Sequence, residues 1–250
     1  MPGPSFEWKM PRPSNDTHIL PGDPPVHVAL KRSARARRFS LRVSRADGRV
    51  SLSLPHWARE SDALAFLHDR ETWLRRQLAA APHPNRPEIG GTIPICGVDR
   101  QITRGGGRTA RLIEGGVQVP DGPRIPPRIR ALLQALARER LTRACDRYAS
   151  DLGRRYGRLT LRDPRSRWGS CSSKGDLMFS WRLIMAPPDV LDYVAAHEVA
   201  HLAEMNHSAK FWSVCARLCP GYDAPRAWLK TEGPQLLAWQ FDPLPQDPVL

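Results

Sequence analysis

The chain has 250 residues, 41% of them hydrophobic, which is enough for a sizeable core in one large or two small domains. Its formal net charge is +13, yet lysine occurs only at positions 9, 31, 174, 210 and 230, so arginine carries most of the positive charge. No apolar run approaches a membrane span, none follows the first charges as a signal peptide would, and the five cysteines form no CxxC pair, which together predict a cytoplasmic protein without disulfides.

Residues 1–25 are rich in proline and poor in apolar side chains, and they read as a disordered or loosely docked tail, with order beginning near Val26. Phe39, Leu41 and Val43 alternate, a turn follows over 46–49, and Val50, Leu52 and Leu54 alternate again, the pattern of a β-hairpin. Lys31, Arg32, Arg35 and Arg37 precede it, and Arg38, Arg42, Arg45 and Arg49 lie on its polar face. Such a ribbon can track phosphates, but a solvated strand face and arginine-biased codon usage explain it more simply, and no aromatic platform interleaves the charges in sequence. Nucleic acid is therefore a conceivable partner and not the favoured one.

Ser61 to Leu78 has the periodicity of one amphipathic helix, and a proline-rich linker follows over 79–86. Short strands around Ile93, Ile102, Leu112 and Val117 are separated by glycine turns. The Gly105-Gly106-Gly107 run lacks the lysine and the helix start of a phosphate loop. Pro126-Pro127 opens a long helix to about Leu152 with Ile129, Leu133, Leu136, Leu141, Ala144 and Tyr148 on its buried stripe. A strand begins at Leu159, a turn spans Ser173 to Asp176, and a second strand runs from Leu177 to Met185. A further helix is expected around Phe211 to Leu218. Pro225 starts the last one, and a proline-rich tail closes the chain over 241–250. The expected division is a β-rich α+β portion over 26–124 and a catalytic portion over 125–240.

The chemistry concentrates at His197-Glu198-Val199-Ala200-His201. Two histidines four residues apart on a helix project from one face, one turn apart, and can share a Zn²⁺ ion. Glu198 lies about 100° further round, beside the metal and suited to act as general base. Pro187-Pro188-Asp189 is a helix-start signal, and Asn206 tolerates the left-handed conformation that stops a helix. If the helix ends near Met205 or Asn206, the chain can turn back and supply His207 as third ligand, leaving a coordination position open for catalysis. Glu204 is the competing third ligand, on nearly the same helix face as His197.

The segments Arg165 to Ser172, Trp181-Arg182-Leu183, Tyr193-Val194, His197 to His201, Asn206-His207-Ser208 and Phe211-Trp212 resemble the YgjP-like metal-dependent hydrolases, zincin metallopeptidases related to SprT-like and Wss1-like proteases. The resemblance runs from about Val26 to Trp239. It implies an α+β zincin-like core, with the HExxH helix under a small sheet. One Zn²⁺ would sit on His197, His201 and His207, with Glu198 as base and peptide or unfolded protein as substrate. Arg165, Arg167, Trp168 and Tyr222 are candidate substrate-binding residues, the arginines and the tyrosine as oxyanion stabilisers. Members of such families are also described as nucleoside-triphosphate hydrolases and as DNA-associated proteases, and these remain the alternatives. Metzincins place a glycine where this chain has Glu204, which argues against that assignment.

Overall fold

The computed structural model describes residues 16–44, 48–79, 85–122 and 124–242. The chain divides into two compact units, Met1–Ala81 and Pro82–Leu250, each with its own hydrophobic core.

In the first unit, strands β1 (Asp16–Leu20), β2 (Val26–Ser33), β3 (Ser40–Val43) and β4 (Val50–Pro55) form a sheet in the order β1-β2-β4-β3. The expected hairpin is present, with Leu41 opposite Leu52 and Val43 opposite Val50. Half of its turn, residues 46 and 47, lies outside the described residues, as does residue 45. Order begins earlier than Val26. Asp16–Leu20 pairs antiparallel with Val26–Leu30, and Leu20 is fully buried, so a strand partner orders what composition alone reads as tail. Residues 1–15 lie outside the described residues.

The single helix expected over 61–78 is two, α1 (Glu60–Asp69) and α2 (Glu71–Ala79), broken at Arg70. The break lets Glu71 lead a new first turn. There its carboxylate accepts the Arg75 Nε–H at 2.8 Å, while the other Arg75 nitrogens donate to the carbonyls of Pro21 and Pro24 at 2.6 and 3.1 Å. Leu67 and Leu74, one from each helix, are buried against Val28, Leu30, Leu52 and Leu54 of the sheet. The linker expected at 79–86 lies largely outside the described residues.

The second unit opens with strands β5 (Thr92–Ile95), β6 (Val98–Gly105), β7 (Arg111–Ile113) and β8 (Gly116–Pro120), in the order β5-β6-β8-β7. Both four-stranded sheets share one scheme, an inner parallel pair with an antiparallel strand on each edge. Helix α3 (Ile125–Leu152) follows, closed by Gly153 in the left-handed conformation (φ 64°) with its N–H bonded to Ala149 and Ser150 carbonyls. Ile93, Ile95, Ile102, Val117 and Val119 share one core with Ile129, Leu133 and Leu141 of α3. The boundary expected at 124/125 therefore falls at 81/82, because this sheet buries its apolar face in the core of the residues that follow it.

Strands β9 (Leu159–Arg162), β10 (Gly169–Cys171) and β11 (Leu177–Ser180) make a small sheet in the order β10-β11-β9. The strand expected to reach Met185 stops at Ser180, and Trp181–Met185 is a 3₁₀ helix with all five side chains buried. Its Arg182 explains the departure. The guanidinium donates to both Asp163 carboxylate oxygens (2.6 and 3.0 Å) and to the carbonyls of Leu236 and Trp239 (2.8 and 2.9 Å). Helices α4 (Pro188–Ala200), α5 (Ala209–Leu218), α6 (Asp223–Thr231) and α7 (Gly233–Leu237) complete the unit. The last helix expected from Pro225 is thus split at Glu232. Pro234 cannot donate a backbone hydrogen bond and restricts Gly233 before it, so it begins a new helix instead of continuing α6. Most of the expected closing tail, residues 243–250, lies outside the described residues. The chain is α+β, and a zincin-like arrangement is evident in α4 packing against the edge strand β10 of the small sheet.

Candidate metal centre

Pro188 provides the N-terminal turn of α4, and the helix is buried on almost every side, through Val190, Leu191, Val194, Ala195, Val199 and Ala200 among others. Burial on this scale holds the helix rigidly, so the directions of His197, Glu198 and His201 are set by packing. The helix ends at Ala200, earlier than the Met205–Asn206 stop expected from sequence. Its last carbonyls accept from Leu202 N (2.9 Å), Ala203 N (3.0 Å) and Glu204 N (3.1 Å), a tightened final turn.

Asn206 does not take the left-handed conformation; Cys96 is the sole non-glycine residue with positive φ among the described residues. Instead the Asn206 side chain accepts the Ser208 N–H at 3.1 Å, and Ser208 caps α5 by accepting from Phe211 N at 3.4 Å. These two local bonds fold the 201–208 segment back and bring His207 over the helix end.

The result is a cluster of three imidazoles. Each of His197, His201 and His207 offers one ligand atom, all within 4.8 Å of one another, and the ring centroids are 4.9 to 5.1 Å apart. His207 Nε2 lies 3.1 Å from His197 Nε2. The His201 Nδ1 position meets the Glu204 carbonyl at 3.0 Å, which fixes the ring and leaves Nε2 as its free donor. Glu204, the competing ligand, thus faces the site through its backbone, and its carboxylate is not in the cluster.

Burial, then the charges of His201 and His207, lower the His197 pKa to about 4, and burial lowers that of His201, so both rings are held neutral. Neutral imidazoles with converging nitrogens are the donor set of a borderline cation such as Zn²⁺ and a poor one for Mg²⁺ or Ca²⁺. The residues present fit a metal.

Glu198 is 5% exposed, and burial pushes its carboxyl up to about 8, against the pull of the Arg167 charge. It lines a cavity of about 430 Å³ together with the three histidines, Ser166, Arg167, Gly169, Ser170, Cys171 and Met205. Gly169 has a steric reason to be glycine: a Cβ there would stand 2.5 Å from Glu198 Oε1 and 2.6 Å from its Cγ. The β10 backbone and the Glu198 side chain therefore pack with nothing between them.

Of the four substrate-binding candidates, Arg167 lines the cavity. Trp168 instead packs on Gly233, where a Cβ would fall 2.9 Å from its ring, and joins the core. Tyr222 stacks between Tyr193 (6.1 Å) and Trp212 (5.4 Å), and Arg165 is not part of the lining. Trp212, unassigned from sequence, is stacked on the His207 ring at 5.8 Å with the Arg226 guanidinium 4.4 Å from it. Only its place directly after Phe211 on the helix following His207 hinted at such a role.

A family model for the YgjP-like metallopeptidase domain matches residues 37–232. The crystal structure of the metallopeptidase zymogen of Pyrococcus abyssi abylysin is similar over 37% of this chain and 95% of that chain, with 19% identity and a TM-score of 0.34. No curated protein matches this sequence. With most of its length matched by that family model, the chain belongs to the YgjP-like metallopeptidases, and so to the metal-dependent peptidases.

Proposed function

We propose that the centre is a one-zinc peptidase site acting on extended or unfolded polypeptide, with His197, His201 and His207 as ligands and Glu198 as general base. The observation that carries this reading is the convergence of three imidazoles, two of them held neutral, beside a buried carboxylate in an open cavity. A bound Zn²⁺ supplies a Lewis acid for the scissile carbonyl and for a water, and its charge favours the ionised form of Glu198.

Glu198 takes the proton of the attacking water and returns it to the departing amide nitrogen, which must leave as an amine. Its burial keeps that proton from being lost to solvent between the two transfers. Arg167, the one guanidinium of the cavity lining, is the group for the negative charge that develops on the carbonyl oxygen. Strand β10 is an edge strand, so the outer backbone groups of Gly169–Cys171 can pair with an extended substrate. Nucleotide hydrolysis is the weaker reading, because Mg²⁺-phosphate sites are built from carboxylates and this cluster has three histidines.

The test pairs metal analysis with cleavage of an unfolded protein. Wild type should carry about one zinc per chain. Glu198→Gln should keep the metal and lose at least about 100-fold in turnover. Gly169→Ala should do likewise, because the three atoms nearest its Cβ all belong to the Glu198 side chain, which it displaces. Cleavage that survives Glu198→Gln, or zinc retained after His197→Ala and His207→Ala together, would sink the assignment.

A further inference from the structure

The first unit places a cation and an exposed indole on twin turns. Strands β2 and β4 run parallel, and Ser33 is the register partner of Pro55. Each of these residues opens a tight turn: Ala36 N bonds to Ser33 O at 3.2 Å, and Ala58 N bonds to Pro55 O at 3.1 Å. Adjacent strands lie about 4.8 Å apart, so the two turns leave the sheet side by side. Arg35 and Trp57 occupy the same position, the third, in their respective turns. Both are exposed, and Trp57 is 79% exposed, the most of any large apolar side chain described.

The platform is held in place by a side chain of β2. Arg32 Nη1 donates to the carbonyls of His56 (3.3 Å) and Ala58 (2.8 Å), clamping the turn on either side of the indole. Arg37 and Arg38 are exposed in the same loop, which leads into β3 at Ser40, opposite Ser53 near this end of the sheet. Arg35 donates its backbone N–H to Ser33 Oγ at 3.3 Å, and the guanidinium groups of Arg35, Arg37 and Arg38 make no ion pair or hydrogen bond among the described residues. Between Asp23 and Asp47 the sequence has seven lysines and arginines and no acid. Glu60 and Asp62, in the first turn of α1, bound the surface on one side.

We propose that this end of the sheet binds single-stranded nucleic acid, with a base stacked on Trp57 and the adjoining phosphates on Arg35, Arg37 and Arg38. An exposed indole beside exposed guanidinium groups suits an unstacked base and its backbone, whereas duplex DNA hides its base faces. An anionic membrane is the poorer fit. Insertion needs an apolar face, and of the other exposed large apolar residues of the unit, Ile19 pairs with His27 at the far end of β2 and Trp73 lies on α2, two residues before Arg75, which bonds to Pro21 and Pro24 at that same far end.

The experiment is anisotropy of labelled oligo(dT) of about twenty nucleotides with the full chain, over about 50 to 200 mM salt. Trp57→Ala should weaken binding about tenfold at fixed salt and leave the salt slope unchanged, with Trp57→Phe retaining most of the affinity. Arg35→Ala, Arg37→Ala and Arg38→Ala together should flatten the log–log salt slope by about 2, at about 0.7 per phosphate lost. All these positions are exposed, so the variants should melt as wild type does, and none touches the histidine cluster. The proposal is overturned if both sets of variants bind as wild type does, if duplex of equal length binds as tightly as oligo(dT), or if phosphatidylserine vesicles bind more tightly than the oligonucleotide.

Discussion

Glu198 and His197 are neighbours in sequence, yet burial acts on them in opposite directions. The Glu198 carboxyl is pushed up to about 8, so the folded metal-free chain holds a proton that the unfolded chain releases near 4.5; its stabilising contribution is lost as pH rises through 8. His197 is pushed down to about 4, so its contribution is complete above 6.5 and is lost as pH falls through 4. Below 6.5 the two oppose each other, and above it Glu198 acts alone. Metal-free wild type should therefore lose thermal stability between pH 6.5 and 8, and Glu198→Gln should be flatter there, as thermal melts in chelator would record. A wild-type melting point that rises through this interval would contradict the buried-carboxyl account.

At the scale of elements, the 3₁₀ helix Trp181–Met185 joins the small sheet to α4, and Arg182 is its anchor. The residue is 6% exposed and its side chain is satisfied by four hydrogen bonds, to Asp163 and to two carbonyls of the C-terminal segment, with Trp181 and Phe241 rings within 4.8 and 5.4 Å. Asp163→Ala would leave that guanidinium buried without a counter-charge, which costs about 3–5 kcal/mol. Denaturant unfolding should show this loss, and replacing both residues by apolar side chains should recover a good part of it. The expectation of a strand here was reasonable, since Leu177 to Ser180 is one. What the strand pattern does not encode is an arginine whose partners lie 19, 54 and 57 residues away.

For the whole molecule, two separate cores in one chain predict two unfolding events. The histidine cluster belongs to the second unit, so a bound metal stabilises that unit by mass action and not the other. Calorimetry with and without zinc should show one transition that moves and one that stays; a single transition, or two that shift together, would contradict independent cores. The shared strand scheme of the two four-stranded sheets makes the contrast instructive. Similar sheets serve different ends, one closing its own small core with α1 and α2, the other joining the core built around α3.

Local physics made the central parts legible without coordinates. Helical geometry alone puts His197 and His201 on one face, alternation alone marks the β3–β4 hairpin, and a double proline with a distant glycine brackets the 28-residue α3. The tertiary structure decided what depends on contacts remote in sequence or on where a helix stops. His207 joins the cluster because α4 ends at Ala200 and Asn206 and Ser208 turn the chain, which no periodicity announces. Trp168 packs on Gly233, and Tyr222 stacks with Tyr193 and Trp212, contacts that no local pattern contains. Trp57 stands 19 positions from Arg38 and 22 from Arg35 of the β2–β3 turn, so no short sequence window interleaves them; parallel pairing of β2 with β4 puts their turns side by side. Short-range geometry is written in residue spacing, whereas the meeting of distant segments is settled only when burial of the whole core selects one arrangement.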